Sequence, residues 1–324
     1  MIRLGANNVR RKVYVTAFRE NRTLAAGRDL VSRYQSERFE IANSEGEADI
    51  ILYLEYGYIG LTDLPGVVER IGKYPGAMHF LFSEADWPFP ILPGAYPSLY
   101  KSFPWAISWC FLPRPSAGGN KNDAKKPQFL FSFLGRVMTH PVRGQLLGLN
   151  DEKSPCLDVG YAPSRFGNFD YKGTYFDLIA SSKFILCPRG FGASSIRVFE
   201  AMSMGRVPVV ISDEWQRPPR VAWEQCCVVV SESDISRIPN ILRELEGEAQ
   251  AMGRIAREEF EKFFAPCVFF DRLLTTLMVS YGGSEFDQAS VLYRAWKALG
   301  WRECWTLASQ AKAAILGSMQ KSPV

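Results

Sequence analysis

The segment FILCPRGFGASSIRVFEAMSMGRVPVVISD, residues 184–213, constrains the fold more than any other part of the chain. Its apolar runs at 184–187 and 207–211 have the length and composition of buried strands. Between them lie a glycine-rich turn and a helical pattern that ends at Gly205, a residue suited to the left-handed position just past a helix. The segment therefore predicts a strand, turn, helix and strand of a parallel α/β sheet, with Ser194 as the helix N-cap.

Further apolar runs of strand length lie on both sides of this unit. They occupy residues 13–15, 49–54, 78–82, 129–134 and 227–230. A polar stretch rich in glycine and lysine, residues 114–128, separates the first three runs from the others and is typical of a linker. A helical pattern with four-residue and three-residue spacing returns near the C-terminus. The sequence therefore predicts two α/β domains followed by C-terminal helices.

Composition excludes several classes of protein. The chain has 38 Lys plus Arg against 34 Asp plus Glu, a net charge of +4 that is too small for a duplex-binding surface, so we expect no nucleic-acid partner. Its 7 cysteines lack paired spacing and are predicted to be thiols. No apolar run is long enough to span a membrane, and the N-terminus lacks the apolar core of a signal peptide. We therefore expect a cytoplasmic protein, with possible peripheral contact between its tryptophan-rich tail and the inner face of a membrane.

The turn and helix at 188–203 have the chemistry of a nucleotide site. Glycines at 190 and 192 would expose backbone N–H groups, and a helix N-terminus attracts phosphate. Ser194, Arg197 and Glu200 recur every three residues and would share one polar edge of the helix. The arginine lies toward the positive end of the helix dipole and the glutamate toward the negative end, which is the unfavourable order. A ligand explains this order, because the arginine can bind a phosphate and the glutamate can accept hydrogen bonds from ribose hydroxyls.

Residues 129–245, which contain this segment and FLFSFLGRVMTHPVRGQLL, resemble the exostosin-like glycosyltransferases. The resemblance implies a GT-B fold, in which two Rossmann-like domains face each other and the C-terminal domain binds the nucleotide sugar. Retaining transferases of related fold carry a second glutamate eight positions before the ribose-binding one, but Gly192 stands there in this chain. This departure favours an inverting enzyme. The predicted organisation is an acceptor-side domain at 1–115, a linker at 116–127, a donor domain at 128–285 and helices at 286–324 that pack across the cleft.

The resemblance and the nucleotide-site chemistry together select the candidate residues. The donor-binding candidates are Arg136, Arg143, Arg189, Gly190, Gly192, Ser194, Ser195, Arg197 and Glu200. The alternatives are solvated surface charges for the arginines and plain helix caps for the serines.

The catalytic base is predicted in the loop after the run at 78–82, as Glu84 or Asp86, which neighbouring aromatic residues would partly desolvate. These carboxylates could instead cap a proline-rich turn, and Asp63 and Glu55 are further candidates for the base. The chain lacks an Asp-x-Asp motif, so neither an essential metal nor another cofactor is expected.

The resemblance implies a bacterial-type, exostosin-like enzyme of polysaccharide biosynthesis. It would transfer a hexosyl or glycuronosyl group from a UDP-linked donor to a saccharide or glycoconjugate acceptor, with inversion. Two alternatives stay open: a catalytically inactive partner of a polymerising transferase that still binds the nucleotide sugar, and a retaining transferase. The sequence leaves the donor sugar, the acceptor and the oligomeric state undetermined.

Overall fold

Two separate parallel β-sheets organise the chain. A computed structural model describes residues 10–33, 36–57, 59–113, 126–160, 171–282 and 294. The N-terminal sheet and its helices are β1 (Arg11–Thr16), α1 (Arg22–Ser32), β2 (Phe39–Ile41), β3 (Ile50–Glu55), α2 (Leu64–Lys73), β4 (Met78–Ser83) and β5 (Gly94–Ala95). The strand order is β2-β1-β3-β4-β5, and every neighbouring pair is parallel. The central strand β3 is buried along its whole length, as its continuous apolar run predicts.

The second sheet lies in the C-terminal half. Its elements are β6 (Phe129–Gly135), α3 (Pro141–Leu146), β7 (Cys156–Asp158), α4 (Tyr171–Ala180), β8 (Ser182–Pro188), α5 (Arg197–Ser203), β9 (Val207–Ile211), α6 (Trp223–Cys226), β10 (Val228–Val230), α7 (Ile238–Glu244), α8 (Ala249–Phe263) and α9 (Phe269–Tyr281). The order is β10-β9-β8-β6-β7, again with parallel pairs. Gly205 has φ +65, the left-handed conformation predicted for it. The predicted fold class, two Rossmann-like α/β domains, is confirmed.

Helix α9 packs against the N-terminal sheet although it follows the C-terminal one. The ring of Phe269 meets the ring of Phe82 edge-on at 5.8 Å between centroids, and Tyr281 lies 6.2 Å from Phe80. The Tyr281 hydroxyl donates to the Trp105 carbonyl at 3.1 Å. The packing back onto the N-terminal domain therefore begins with α9, inside the range 128–285 predicted for the donor domain. The predicted helices at 286–324 lie outside the described residues apart from 294, and the predicted linker does so apart from 126–127.

A segment of the N-terminal half reaches in the opposite direction. The Lys101 amide donates to the Glu214 carbonyl at 2.8 Å, and the Gln216 amide donates to the Leu99 carbonyl at 2.9 Å. The Trp215 indole N–H donates to the Pro97 carbonyl at 3.3 Å. These bonds attach residues 97–101 to the segment that follows β9. The two halves therefore exchange elements in both directions.

No helix in the described part of the chain is both long enough and apolar enough to cross a membrane. Six cysteines are described, and all six are free. His79 is fully buried, with Nδ1 2.9 Å from the Tyr53 hydroxyl and Nε2 2.9 Å from the Tyr74 carbonyl. This histidine is a core residue with both ring nitrogens in hydrogen bonds.

Candidate functional site

The carboxyl ends of β6 and β8 bring the predicted donor-site residues together, because neighbouring parallel strands end at the same edge of a sheet. Arg143 on α3 joins the two ends. Its Nε donates to the Arg189 carbonyl at 2.8 Å, Nη2 to the Pro188 carbonyl at 3.3 Å and Nη1 to the Arg136 carbonyl at 3.3 Å. The side chain is buried, so these carbonyls replace water around the guanidinium. Arg143 therefore supports the loops of the site, and its contact with a diphosphate stays a prediction.

Arg197 is buried at the first position of α5 and does not lie on an open polar edge, which corrects the predicted placement. Its Nη2 donates to the Leu134 carbonyl at 2.9 Å. The guanidinium carbon lies 5.3 Å from the centre of the Phe133 ring and 5.7 Å from that of Tyr175, within the range of cation–π attraction. Gly135 makes room for it, because a Cβ there would lie 2.4 Å from Nη2. The arginine therefore places positive charge beneath the end of β6.

Glu200 is half-buried on α5 and accepts a hydrogen bond from the Tyr175 hydroxyl. Burial raises the pKa of Tyr175 well above its usual value, and the nearby Glu200 carboxylate raises it further. The phenol therefore stays protonated, and by donating its hydrogen bond it orients the Glu200 carboxylate. Tyr175 comes from α4 and was not predicted as a site residue, because the sequence of that helix, YKGTYFDLIA, contains no ligand-binding motif.

The helix start differs from the prediction. Helix α5 begins at Arg197, Ile196 is its N-cap, and no side chain caps it, so the assignment of Ser194 as N-cap is wrong. The Ser194 and Ser195 side chains are buried, and their hydroxyls have no hydrogen-bond partner within the described part of the chain. Buried hydroxyls without partners are costly to leave unsatisfied. A bound phosphate is a group that could accept hydrogen bonds from them.

Both glycines of the turn, Gly190 and Gly192, pack closely against neighbouring residues. A Cβ at Gly190 would lie 2.9 Å from Arg143 Nη2, and one at Gly192 would lie 2.7 Å from the Asp86 carbonyl oxygen and from Ser98 Oγ. Only glycine permits the second approach without moving backbone. The turn of the C-terminal domain therefore lies directly against the loop that follows β4 in the N-terminal domain.

The remaining two arginines of the donor-site prediction differ in environment. Arg189 donates through Nη2 to the Tyr100 hydroxyl at 3.3 Å, and its Nη1 lies 3.7 Å from a Glu232 carboxylate oxygen. Arg136, directly after β6, is exposed. Arg189 is thus held by residues of both halves of the chain, whereas Arg136 lies open to solvent at the strand end.

The two predicted bases have different surroundings. Glu84 is buried, and its carboxylate accepts hydrogen bonds from the Thr23 hydroxyl at 2.8 Å and from the Leu112 amide at 2.9 Å. Asp86 is exposed, although the surrounding protein removes enough water to raise its pKa, an effect that the Arg143 charge partly opposes. Glu84 therefore connects three segments of the N-terminal domain, and Asp86 is open to solvent.

The other two candidate bases make structural contacts. Glu55 is buried and accepts from the Phe18 amide at 2.6 Å, and desolvation raises its pKa. Asp63 accepts from the Gly60 amide at 2.9 Å and pairs with Arg19. Among the described residues, no three His, Cys, Asp or Glu side chains are grouped so that they could hold a metal ion. Of the four candidate carboxylates, Asp86 is the one that is exposed.

Comparison with known proteins finds similarity over the part of the chain that contains this site. Residues 110–245 match the Exostosin GT47 domain. The chain is 43% identical over 70 residues to an exostosin-1 homolog of Caenorhabditis elegans, covering 21% of this chain and 18% of that protein. It is 33% identical over 101 residues to a probable glucuronosyltransferase of Oryza sativa subsp. japonica, covering 31% of this chain and 22% of that protein. A solved glycosyltransferase structure from Rickettsia africae has a TM-score of 0.44 and 9% identity, covering 84% of this chain and 98% of that one.

The family match supports the predicted exostosin-like family and agrees with the predicted enzyme class, a hexosyl- or glycuronosyltransferase. The matched range contains β6 to β10 and every predicted donor-site residue. The chain spans about a fifth of the length of the two relatives, which come from an animal and a plant. The predicted bacterial-type membership and the inverting stereochemistry stay predictions.

Proposed function

We propose that this chain, whose residues 110–245 match the Exostosin GT47 domain, transfers a sugar from a UDP-linked donor to a saccharide or glycoconjugate acceptor. The observation that carries the proposal is the group at the carboxyl edge of the second sheet. There, the glycine-rich turn, the buried Ser194 and Ser195 hydroxyls and the Tyr175-oriented Glu200 occur together. This group combines phosphate-binding donors with a carboxylate that can accept from ribose.

Each donor-site residue has a role in this proposal. The serine hydroxyls and the turn amides bind the diphosphate, and Arg136 and Arg189 balance its negative charge. Arg143 and Arg197 act from beneath, where they hold the strand ends in place and contribute positive potential. Glu200 accepts hydrogen bonds from the ribose hydroxyls. Leaving-group charge that develops on the diphosphate is thereby stabilised without a metal ion or another cofactor.

Asp86 is the base in the proposed reaction. Its carboxylate removes the proton of an acceptor hydroxyl, and the resulting oxygen forms a bond to the anomeric carbon of the donor. The bond from that carbon to the diphosphate breaks as the new bond forms, so the anomeric configuration inverts. The raised pKa of Asp86 makes it a better proton acceptor than an ordinary aspartate. The proposed setting is cytoplasmic, with acceptors of polysaccharide biosynthesis.

A transfer assay tests this function. The full chain is incubated with UDP-glucuronic acid, UDP-xylose or UDP-N-acetylglucosamine and a panel of β-linked oligosaccharides. Released UDP and elongated saccharide are measured, and NMR of the product gives its anomeric configuration. Inverted product supports the proposal, and retained configuration would identify a retaining transferase. UDP binding without any product in long incubations would identify an inactive binding partner.

Glu200→Ala is expected to weaken UDP binding by about 1–3 kcal/mol, the cost of removing a charged hydrogen-bond partner. Calorimetry with UDP measures the effect. The matched control is Glu244→Ala, which removes an exposed glutamate on α7. This variant should bind UDP as the parent does. Tyr175→Phe should weaken binding by a smaller amount, because the carboxylate stays while its orienting hydroxyl is lost. Unchanged UDP affinity in Glu200→Ala would remove the ribose role from this residue.

Turnover is expected to continue after divalent metals are removed. The physical reason is that arginines and backbone N–H groups can stabilise the diphosphate in place of a metal. The measurement is the rate of UDP release before and after dialysis against EDTA. Loss of activity that manganese or magnesium restores would contradict this expectation.

A further inference from the structure

Trp87 and Phe191 form an exposed aromatic pair whose members come from different domains. Their ring centroids lie 5.9 Å apart with planes inclined by 53°. Trp87 is 43% exposed and follows β4, and Phe191 is 50% exposed and follows β8. Both strands are parallel to their neighbours, so each aromatic lies near the carboxyl edge of its sheet. The pair therefore spans the boundary between the two domains.

Packing of the turn explains why Phe191 points outward. The flanking glycines lie against protein, since a Cβ on Gly190 or Gly192 would meet Arg143 Nη2 or the Asp86 carbonyl oxygen. The Phe191 carbonyl accepts from the Tyr100 hydroxyl at 3.5 Å. The backbone is thus fixed from below, and the one large side chain of the turn is left at the surface. Even with its contact to Trp87, the Phe191 side chain keeps half of its surface in water, so the ring is open to a further partner.

The neighbours of the pair indicate what it could bind. Trp87 follows Asp86, the proposed base, and Phe191 follows the Arg189 and Gly190 of the proposed diphosphate site. A Cβ on Gly192, next to Phe191, would lie 2.7 Å from the Asp86 carbonyl oxygen, so the pair lies where the proposed base and the proposed diphosphate site meet. An acceptor must bind at this junction. Pyranose rings present an apolar face of C–H groups that packs on aromatic rings, and aromatic side chains commonly line small-molecule sites.

We infer that Trp87 and Phe191 together form the surface on which a pyranose ring of the saccharide acceptor stacks. This inference rests on the proposed transferase function. It assigns the acceptor subsite to both domains, because Phe191 belongs to the donor domain. It also defines the substrate class, a saccharide with an accessible apolar pyranose face.

Direct saccharide binding tests the inference without requiring turnover. The probes are hexasaccharides of β-1,4-linked xylose, glucose and N-acetylglucosamine, and of alternating glucuronic acid and N-acetylglucosamine. Binding to the full chain is measured by NMR titration without donor, and UDP affinity is measured separately by calorimetry. Two variants remove an aromatic ring, Trp87→Ala and Phe191→Ala. Two ring-preserving variants, Trp87→Phe and Phe191→Tyr, keep an aromatic side chain at the same position. Val279→Ala, which changes an exposed apolar residue on α9, is the control.

The two alanine variants are each expected to weaken binding of the saccharide that the parent binds by about tenfold, comparable to the loss of one stacked ring. The ring-preserving variants and Val279→Ala should stay close to the parent, and all variants should keep the parent's UDP affinity. Unchanged saccharide affinity in both alanine variants would overturn the inference. Alanine variants that bind UDP more weakly, but the saccharide as the parent does, would also overturn it, since the pair would then belong to the nucleotide site. A parent that binds none of the four saccharide probes would overturn it as well.

The outcomes separate this inference from the proposed function. A chain that transfers no sugar, but whose saccharide binding responds as expected, would contradict the transferase function and keep the aromatic surface. If the chain transfers sugar but neither alanine substitution changes its saccharide affinity, the transferase function stands and the proposed aromatic surface is contradicted.

Discussion

Asp86→Asn is expected to lower kcat for sugar transfer by about 10²–10⁴-fold, the range that general base catalysis contributes. Asn keeps the size of the side chain but cannot accept the acceptor proton. UDP affinity should stay at the parent value, because the diphosphate and ribose contacts assigned to the other domain are unchanged. Steady-state kinetics of UDP release and calorimetry with UDP give the two quantities.

The pH profile provides an independent check on the role of Asp86. A base acts in its deprotonated form, so kcat/KM of the parent should fall as pH is lowered through the pKa of Asp86 in the free protein. Desolvation raises that pKa, so the acidic limb should lie above the range of an ordinary aspartate. In Asp86→Asn this limb should disappear. A variant that retains both the rate and the limb would assign the base elsewhere.

Folding stability distinguishes loss of a base from loss of structure. A raised pKa means that the folded protein disfavours the ionised carboxylate relative to the unfolded chain. Above the folded-state pKa, ionised Asp86 therefore lowers stability, and its replacement by Asn should leave the protein at least as stable at neutral pH. Thermal unfolding of parent and variant tests this sign.

Glu84→Ala is expected to lower the free energy of unfolding by about 2–5 kcal/mol, because it leaves buried hydrogen-bond donors without an acceptor. The donors are the Thr23 hydroxyl at the start of α1 and the Leu112 amide, far apart in sequence. Urea unfolding followed by fluorescence measures the change.

Glu84→Gln is the matched control for this substitution. Its amide oxygen can accept from the Leu112 amide, and its NH₂ group can donate to the Thr23 oxygen, so most of the lost stability should return. Turnover per folded molecule should also stay close to the parent. A Glu84→Gln variant that is stable but inactive would reverse the assignment and make Glu84 the base.

Much of the fold could be predicted because the central strands carry continuous apolar runs. The runs at 129–134 and 207–211 correspond to β6 and β9 within one residue at each end. The short edge strands β2, β5 and β7 were not predicted, because their two or three residues form no continuous apolar run. The edge strand β10 is equally short but consists of three valines, and the run at 227–230 predicted it. The return of α9 to the first sheet was also not predicted, since an apolar helical stripe does not specify which sheet it covers.

The candidate site was predictable in composition but not in geometry. The motif selected Arg197 and Glu200 from their local positions in the turn and helix, but it placed Arg197 on an open polar edge, whereas the side chain is buried. Their partners, the Leu134 carbonyl and the Tyr175 hydroxyl, are distant in sequence and become neighbours only through the sheet. The same limit applies to Glu84, whose burial depends on α1 and on Leu112. Local spacing therefore selected residue types, and tertiary contacts decide which of those side chains are buried and which are exposed.

The packing of α9 on the N-terminal sheet has a consequence for synthesis on the ribosome. Domains generally fold as units as they emerge, with the N-terminal one first. Here the apolar surface around Phe80 and Phe82 is covered by side chains of Phe269 and Tyr281. The first domain therefore completes its core only after the C-terminal sheet has been translated. Until then the nascent N-terminal half exposes an apolar face, and chaperone binding during translation should be strongest over that interval.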